Sequence, residues 1–311
     1  MKRIVVTGAL GQIGSDLVFQ LRQLYGEDAV LATDIRNNQS EVVLSGPFHL
    51  LDVTDGQAFF NLVRTHQADT IIHLAALLSA KAEDNPLQAW QLNMGGLLNA
   101  LEVARERSCQ FFTPSSIASF GHSTPKEATP QNTMQRPATM YGVSKVAGEL
   151  LCDYYFHKFG LDTRGLRFPG LVSHTSPPGG GTTDYAVDMY LKAARGESYT
   201  SYISEGTFLD MMYMPDAIQA VIQLMETDAA KLIHRNAFNV SAMSVDPEMI
   251  AVSIRRHVPD FILSYESDPI RQKIAEEWPN AIDTSAARTE WNFQTKFNLD
   301  QMTDDMLSHL A

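Results

Sequence analysis

The eight residues "TGALGQIG", Thr7 to Gly14, constrain this chain more than any other feature. The β-branched run "RIVV" precedes them. Behind them, Leu17, Leu21 and Leu24 recur at helical spacing until Gly26 supplies a stop. A strand that turns into a helix through Gly8, Gly11 and Gly14 brings backbone close to a pyrophosphate and aims a helix N-terminus at its charge. The turn reads as a dinucleotide site only if an acidic residue closes the next strand about 20 residues on. Asp34 stands there, at the end of "AVLATD". A carboxylate in that place accepts from the adenosine ribose hydroxyls and repels a 2′-phosphate, which favours NAD over NADP. Arg36 is the counterweight, because an arginine can host that phosphate.

The same rhythm continues through "FHLLD" (48–52), "TIIHLAA" (70–76), "QFFTPSS" (110–116) and "DTRGLRF" (162–168) as strands. A helix begins near Thr54, with Asp55 able to cap it, and another spans roughly Leu87 to Arg107. Strands alternating with helices predict an α/β fold with a doubly wound parallel sheet, the Rossmann arrangement. After Phe168 the rhythm weakens. Residues 169–190 are rich in Gly, Pro and Thr before turning helical, 237–242 and 261–265 read as strands, and 247–257, 268–278 and 283–291 as helices. The expected division is therefore a dinucleotide domain over 1–168 and a smaller substrate-binding cap over 169–311. A segment near 236–240 is expected to return to the main sheet.

A formal net charge of -12 argues against nucleic acid or an anionic membrane as partner, and no apolar run approaches a bilayer span. Cys109 and Cys152, each among apolar neighbours, predict buried thiols and neither a disulfide scaffold nor a zinc site. "KRIVVTG" runs straight into a strand with no signal-peptide pattern. These features predict a soluble, cytoplasmic protein with a small-molecule substrate.

Tyr141 and Lys145, in "MYGVSK", are four residues apart and share one helix face. A tyrosine of ordinary pKa, about 10, is a poor base at neutral pH, and a neighbouring ammonium makes it usable by stabilising the phenolate. Asp52 reads equally well as an adenine acceptor or as a turn residue before the helix. His73 reads as a packed strand histidine.

Taken in order and spacing, "TGALGQIG", Asp34, "DVTD", "HLAA", Asn93, "PSSIASFG" and "YGVSK" resemble the extended short-chain dehydrogenase/reductase family, over essentially the whole chain. The resemblance implies Tyr141 as general base, Lys145 as holder of the nicotinamide ribose and Ser116 as the hydroxyl on the reacting oxygen. Ser115 would sit beside it as a substrate contact, and Pro114 departs from the family's more usual serine. Further cofactor contacts are implied at Gln12, Ile13 and Leu51, at Leu74, Ala75 and Ala76 beneath the cofactor, and at Asn93 and Leu171. The family commonly forms homodimers through helices near 90–107 and 141–158.

Within that family most members act on nucleotide sugars. "RFPGLVS", "PPGGGTTDYAVDMY", "MMYMPDAI" and "DPIRQKIAEEWP" are instead similar to those that oxidise the β-hydroxyl of L-threonine. An amino-acid substrate needs polar partners, for which Ser79, Ser115, Thr182 and Thr183 are candidates. The backbone N–H groups of Gly179, Gly180 and Gly181 are suited to a carboxylate. Trp278 either shields the site or packs in the core, and the two threonines could cap the next helix. Two other readings stay open: a nucleotide-sugar epimerase, dehydratase or reductase, and an NAD-binding regulator without catalysis.

Overall fold

In the computed structural model, which describes residues 1–175 and 179–310, the apolar runs of the first half lie side by side. They form β1 (Ile4–Thr7), β2 (Val30–Asp34), β3 (Phe48–Leu50), β4 (Thr70–His73) and β5 (Gln110–Phe112), followed by β6 (Ser115–Ser116) and β7 (Thr163–Arg164). The remaining strands are β8 (Leu166–Phe168), β9 (Gly170–Val172), β10 (Tyr199–Ser201), β11 (Leu209–Tyr213), β12 (Phe238–Asn239), β13 (Met243–Val245) and β14 (Leu263–Tyr265). Pro177 and Pro178 of the glycine-rich stretch lie outside the described residues.

The central sheet has the order β3-β2-β1-β4-β5-β7, and every pair in it is parallel. This is the doubly wound architecture. Its direction of growth reverses between β2 and β4 on either side of β1, where Thr7 pairs with both Thr33 and His73. A crevice opens beyond the carboxyl ends at such a reversal. Helices cover both faces, so β1 is buried throughout and reads as a continuous apolar run. Ile4 and Val6 pack with Leu17, Leu21 and Val221 on one side, while Val5 packs with Phe59, Leu97 and Leu101 on the other.

Two expected strands are interrupted. Residues 110–116 break at Thr113–Pro114 into β5 and β6, and 162–168 break at Gly165 into β7 and β8. Beyond the breaks, β6 pairs with β8 and β8 with β12, all parallel. The segment 238–239 thus lies beside the strand that continues β7. The helix expected over 87–107 also divides. It runs as Pro86–Trp90, a wide π turn at Gln91–Gly95, and then Gly96–Arg107.

The later residues enclose a second core around Tyr185, Tyr190 and Tyr213. Its walls are the β13-β11-β9 sheet, the β10–β14 pair and the helices Tyr185–Ala194, Pro247–Arg255 and Leu299–Leu310. Among the described residues no helix is long and apolar enough to cross a membrane.

Candidate active site

The crevice at the sheet's reversal holds a cleft of about 220 Å³. Its floor is the first turn. Gly8 has φ +67, a conformation side chains disfavour, and a Cβ there would stand 2.7 Å from the Ala75 nitrogen. A Cβ on Gly14 would stand 2.4 Å from the Gly8 carbonyl. The helix Gln12–Tyr25 starts at Gly11 with no side-chain cap, which leaves its first-turn N–H groups to an anion. Gln12, with Nε2 buried and unpartnered, and Ile13 line the cleft here.

Asp34 is buried at the carboxyl end of β2. Its Oδ2 accepts from the Leu10 N–H at 3.0 Å, and its Oδ1 from the Arg36 N–H at 3.0 Å and Nε at 3.1 Å. Arg36 is therefore turned onto the carboxylate. Asp52 is exposed and accepts from the Thr54 hydroxyl at 2.7 Å and N–H at 2.9 Å, which holds its carboxyl below the usual range. The helix cap itself is Asp55, which accepts from Ala58. Leu51 is buried in the core beside it. None of Asp34, Arg36, Leu51 and Asp52 lines the cleft around Tyr141; they lie at or just beyond the carboxyl ends of β2 and β3.

Leu74, Ala76 and Leu171 line the cleft, and Ala75 packs under Gly8. Asn93 is engaged within the chain. Its amide clamps Leu77 through both the N–H at 2.8 Å and the carbonyl at 3.2 Å, with a weaker bond to the Ser144 hydroxyl. It thus holds the Leu74–Ser79 segment in place from behind. His73 is buried, bonded to Thr7 at 2.9 Å, and pushed down to about 3 by burial and the Lys145 charge. It is the packed histidine expected.

Tyr141 and Lys145 project from the helix Met140–Phe159, which Thr139 caps through the Gly142 N–H. The Ser116 hydroxyl bonds Tyr141 and favours its phenolate, but burial is the larger effect and pushes the phenol up to about 12. The Lys145 ammonium donates to the Pro114 carbonyl at 2.7 Å, and burial brings it down to about 8 despite Glu149. Burial and Ser116 are thus the two influences on the phenol, and Lys145 stands 5.3 Å from the centre of its ring.

Ser115 points the other way along β6. Its hydroxyl donates to the buried Glu149, which Arg167 holds at 2.8 and 3.0 Å and Gln135 at 2.9 Å. The residue borders the cleft, as expected of a substrate contact, while its hydrogen is committed to that carboxylate.

Ser79, Thr182, Thr183 and Trp278 all border the cleft, and Trp278 also packs in the second core, so shielding and packing coexist. Neither threonine side chain caps the helix Tyr185–Ala194. Two of the glycine N–H groups have a partner within the chain. Those of Gly180 and Gly181 donate to Asp184 Oδ2 at 2.7 and 2.8 Å, so an internal carboxylate already fills the place expected for a substrate's. Gly181 borders the cleft and Gly180 does not.

Sequence reasoning missed Asp184 and Glu149. Asp184 is the only acidic residue bordering the cleft among the described residues. Glu149 lies one further turn along the face of Tyr141 and Lys145, a signal the spacing did contain.

Residues 4–241 match the model of the NAD dependent epimerase/dehydratase family. The chain belongs to that family. An uncharacterized epimerase/dehydratase of Staphylococcus saprophyticus is 62% identical over 99% of this chain and 96% of its own. Among solved structures, the L-threonine dehydrogenase of Clostridium difficile superposes with a TM-score of 0.98 at 60% identity, covering 100% of this chain and 98% of that one. The holo form of a GalE-like L-threonine dehydrogenase from Cupriavidus necator gives 0.97 at 45% identity, covering 99% and 100%. As a member of an NAD-dependent family, this epimerase/dehydratase relative has residues that fit the cofactor. The tight turn that Gly8 permits against the Ala75 backbone and the uncapped helix N-terminus are what a pyrophosphate needs.

Proposed function

We propose that this chain is an L-threonine 3-dehydrogenase, oxidising the β-hydroxyl of L-threonine to 2-amino-3-ketobutyrate with NAD. The observation that carries this reading is the cleft's equipment. A hydroxyl pair, Ser116 and Tyr141, stands in the same small space as one carboxylate, Asp184, in a chain 60% identical to a threonine dehydrogenase across its length.

Bound NAD supplies the acceptor for the hydride leaving Cβ. Tyr141 takes the hydroxyl proton, Ser116 holds that oxygen in line, and Lys145 holds the nicotinamide ribose. The Asp184 carboxylate, fixed by the glycine N–H groups, receives the substrate ammonium. Thr182 and Ser79 are hydroxyl partners for its carboxylate, and Trp278 excludes water. Asp34 holds the adenosine ribose.

The deciding experiment follows NADH formation over a panel of hydroxy amino acids and UDP-sugars, with NAD and NADP in parallel. L-threonine with NAD is the expected best pair. Turnover of a UDP-sugar without threonine oxidation would overturn the reading.

Exposed Leu98, Leu150 and Tyr154, on the helices Gly96–Arg107 and Met140–Phe159, support pairing of two copies as a homodimer. Light scattering giving the mass of one chain would exclude it.

A further inference from the structure

The helix Leu299–Leu310 carries Asp305 and His309 one turn apart, against the segment that leaves β9. There they meet His174. Each of the three side chains offers a ligand atom within 4.8 Å of the other two. The imidazoles of His174 and His309 stack with centroids 4.1 Å apart and planes 18° apart. Nothing in the sequence spacing connects position 174 with 305 and 309; the fold does.

The surrounding hydrogen bonds fix the rings. The Tyr213 hydroxyl donates to Asp305 Oδ2 at 2.6 Å, so its oxygen accepts from His174 Nδ1 at 2.7 Å. His309 Nδ1 lies 2.8 Å from the Asp305 carbonyl, which can only accept. Both Nδ1 atoms therefore carry the proton and both Nε2 atoms keep a lone pair. Among the described residues neither Nε2 has a hydrogen-bond partner. Histidines that bind metals are oriented in this way, through the ring N–H opposite the ligating nitrogen.

We propose that His174, Asp305 and His309 bind one zinc-class dication, with water completing its shell. The ion clips the C-terminal helix to the segment between β9 and the glycine-rich stretch. Two imidazoles and one carboxylate suit zinc and its neighbours, whereas magnesium and calcium prefer oxygen ligands. Tetrahedral bonds of about 2.1 Å place donors about 3.4 Å apart, and the ring planes, now 18° from parallel, must turn for both Nε2 lone pairs to meet one ion. His309, exposed near the end of its helix, has the freedom to make that move.

Titration calorimetry of Zn²⁺ into the untagged, chelator-treated full chain tests the site. One saturable ion per chain is expected, weakened at least about tenfold by His309→Ala and by Asp305→Asn. None of the three residues borders the cleft, so oxidation of substrate without added zinc stays unchanged in both variants. A zinc-dependent rise in melting temperature, lost in His309→Ala, reads the same site independently. No saturable binding by the wild type, or equal binding by wild type and both variants, would overturn the proposal.

Discussion

Lys145 stands 5.3 Å from the centroid of the Tyr141 ring, and its ammonium donates to the Pro114 carbonyl instead of the phenol oxygen. The bond that favours the Tyr141 phenolate comes from Ser116. Removing it leaves burial unopposed, so Ser116→Ala raises the tyrosine's pKa further. The rising limb of kcat/KM against pH for threonine oxidation is expected to move to higher pH in this variant. Tyr141→Phe lowers kcat by about 10²–10⁴-fold, the usual weight of a positioned proton-transfer group. A limb that stays in place, or moves to lower pH, contradicts the assignment of Ser116.

These features differ in how far the sequence discloses them. Gly8 and Gly14 were legible because sterics leave no alternative: a side chain at either would collide with backbone. Tyr141 and Lys145 were legible because four-residue spacing on a helix is local geometry. The partner of Ser115 was not, since Glu149 lies across a strand-to-helix contact that only the fold creates. The partner of the glycine-rich stretch is hidden for a related reason. Its N–H groups suited a carboxylate, as reasoned, but the chain curls so that its own Asp184 provides one. β11, "LDMMY", carries neither alternation nor a run of β-branched residues, so local pattern does not disclose it as a strand. It is buried along its whole length and carries an aspartate inward.

Asp34 gives a prediction about cofactor choice. It holds Arg36 by the side-chain nitrogen at 3.1 Å while remaining buried, with Arg36 largely exposed. Asp34→Ala removes the ribose acceptor and releases that guanidinium toward a 2′-phosphate. Hydrogen bonds to a charged group contribute about 1.5–3 kcal/mol, so the NAD-to-NADP ratio of kcat/KM should fall about 10- to 100-fold. Parallel kinetics with both cofactors measure it. An unchanged ratio would place the discrimination elsewhere.

Asp184 gives one about the substrate. Asp184→Asn keeps an oxygen to accept the Gly180 and Gly181 N–H groups, so the glycine turn persists while the charge is lost. KM for L-threonine should rise about tenfold or more, the loss expected for one charge-assisted hydrogen bond. Any weak oxidation of 3-hydroxybutyrate, which lacks the ammonium, should be spared. Equal losses on both compounds would mean that Asp184 shapes the loop and does not read the ammonium.

Asp210, on β11, links stability to pH. Its carboxylate accepts from the Ser241 hydroxyl and the Ile282 N–H, both at 2.6 Å. Burial nonetheless outweighs these bonds and raises its pKa from 3.8 to about 7. A carboxyl with a raised folded pKa binds more protons in the folded than in the unfolded state between those values. Its stabilising effect is complete below about pH 4, declines as pH climbs, and is gone above about pH 7. At 1.36 kcal/mol per unit the total is a few kcal/mol at most. Asp210→Asn does not titrate, and it can keep its oxygen on the Ile282 N–H while Ser241 rotates to accept. Denaturation midpoints should therefore fall more steeply for the wild type than for the variant between pH 5 and pH 8. Parallel curves would show that Asp210 stays ionised throughout, held by its two donors against the cost of burial.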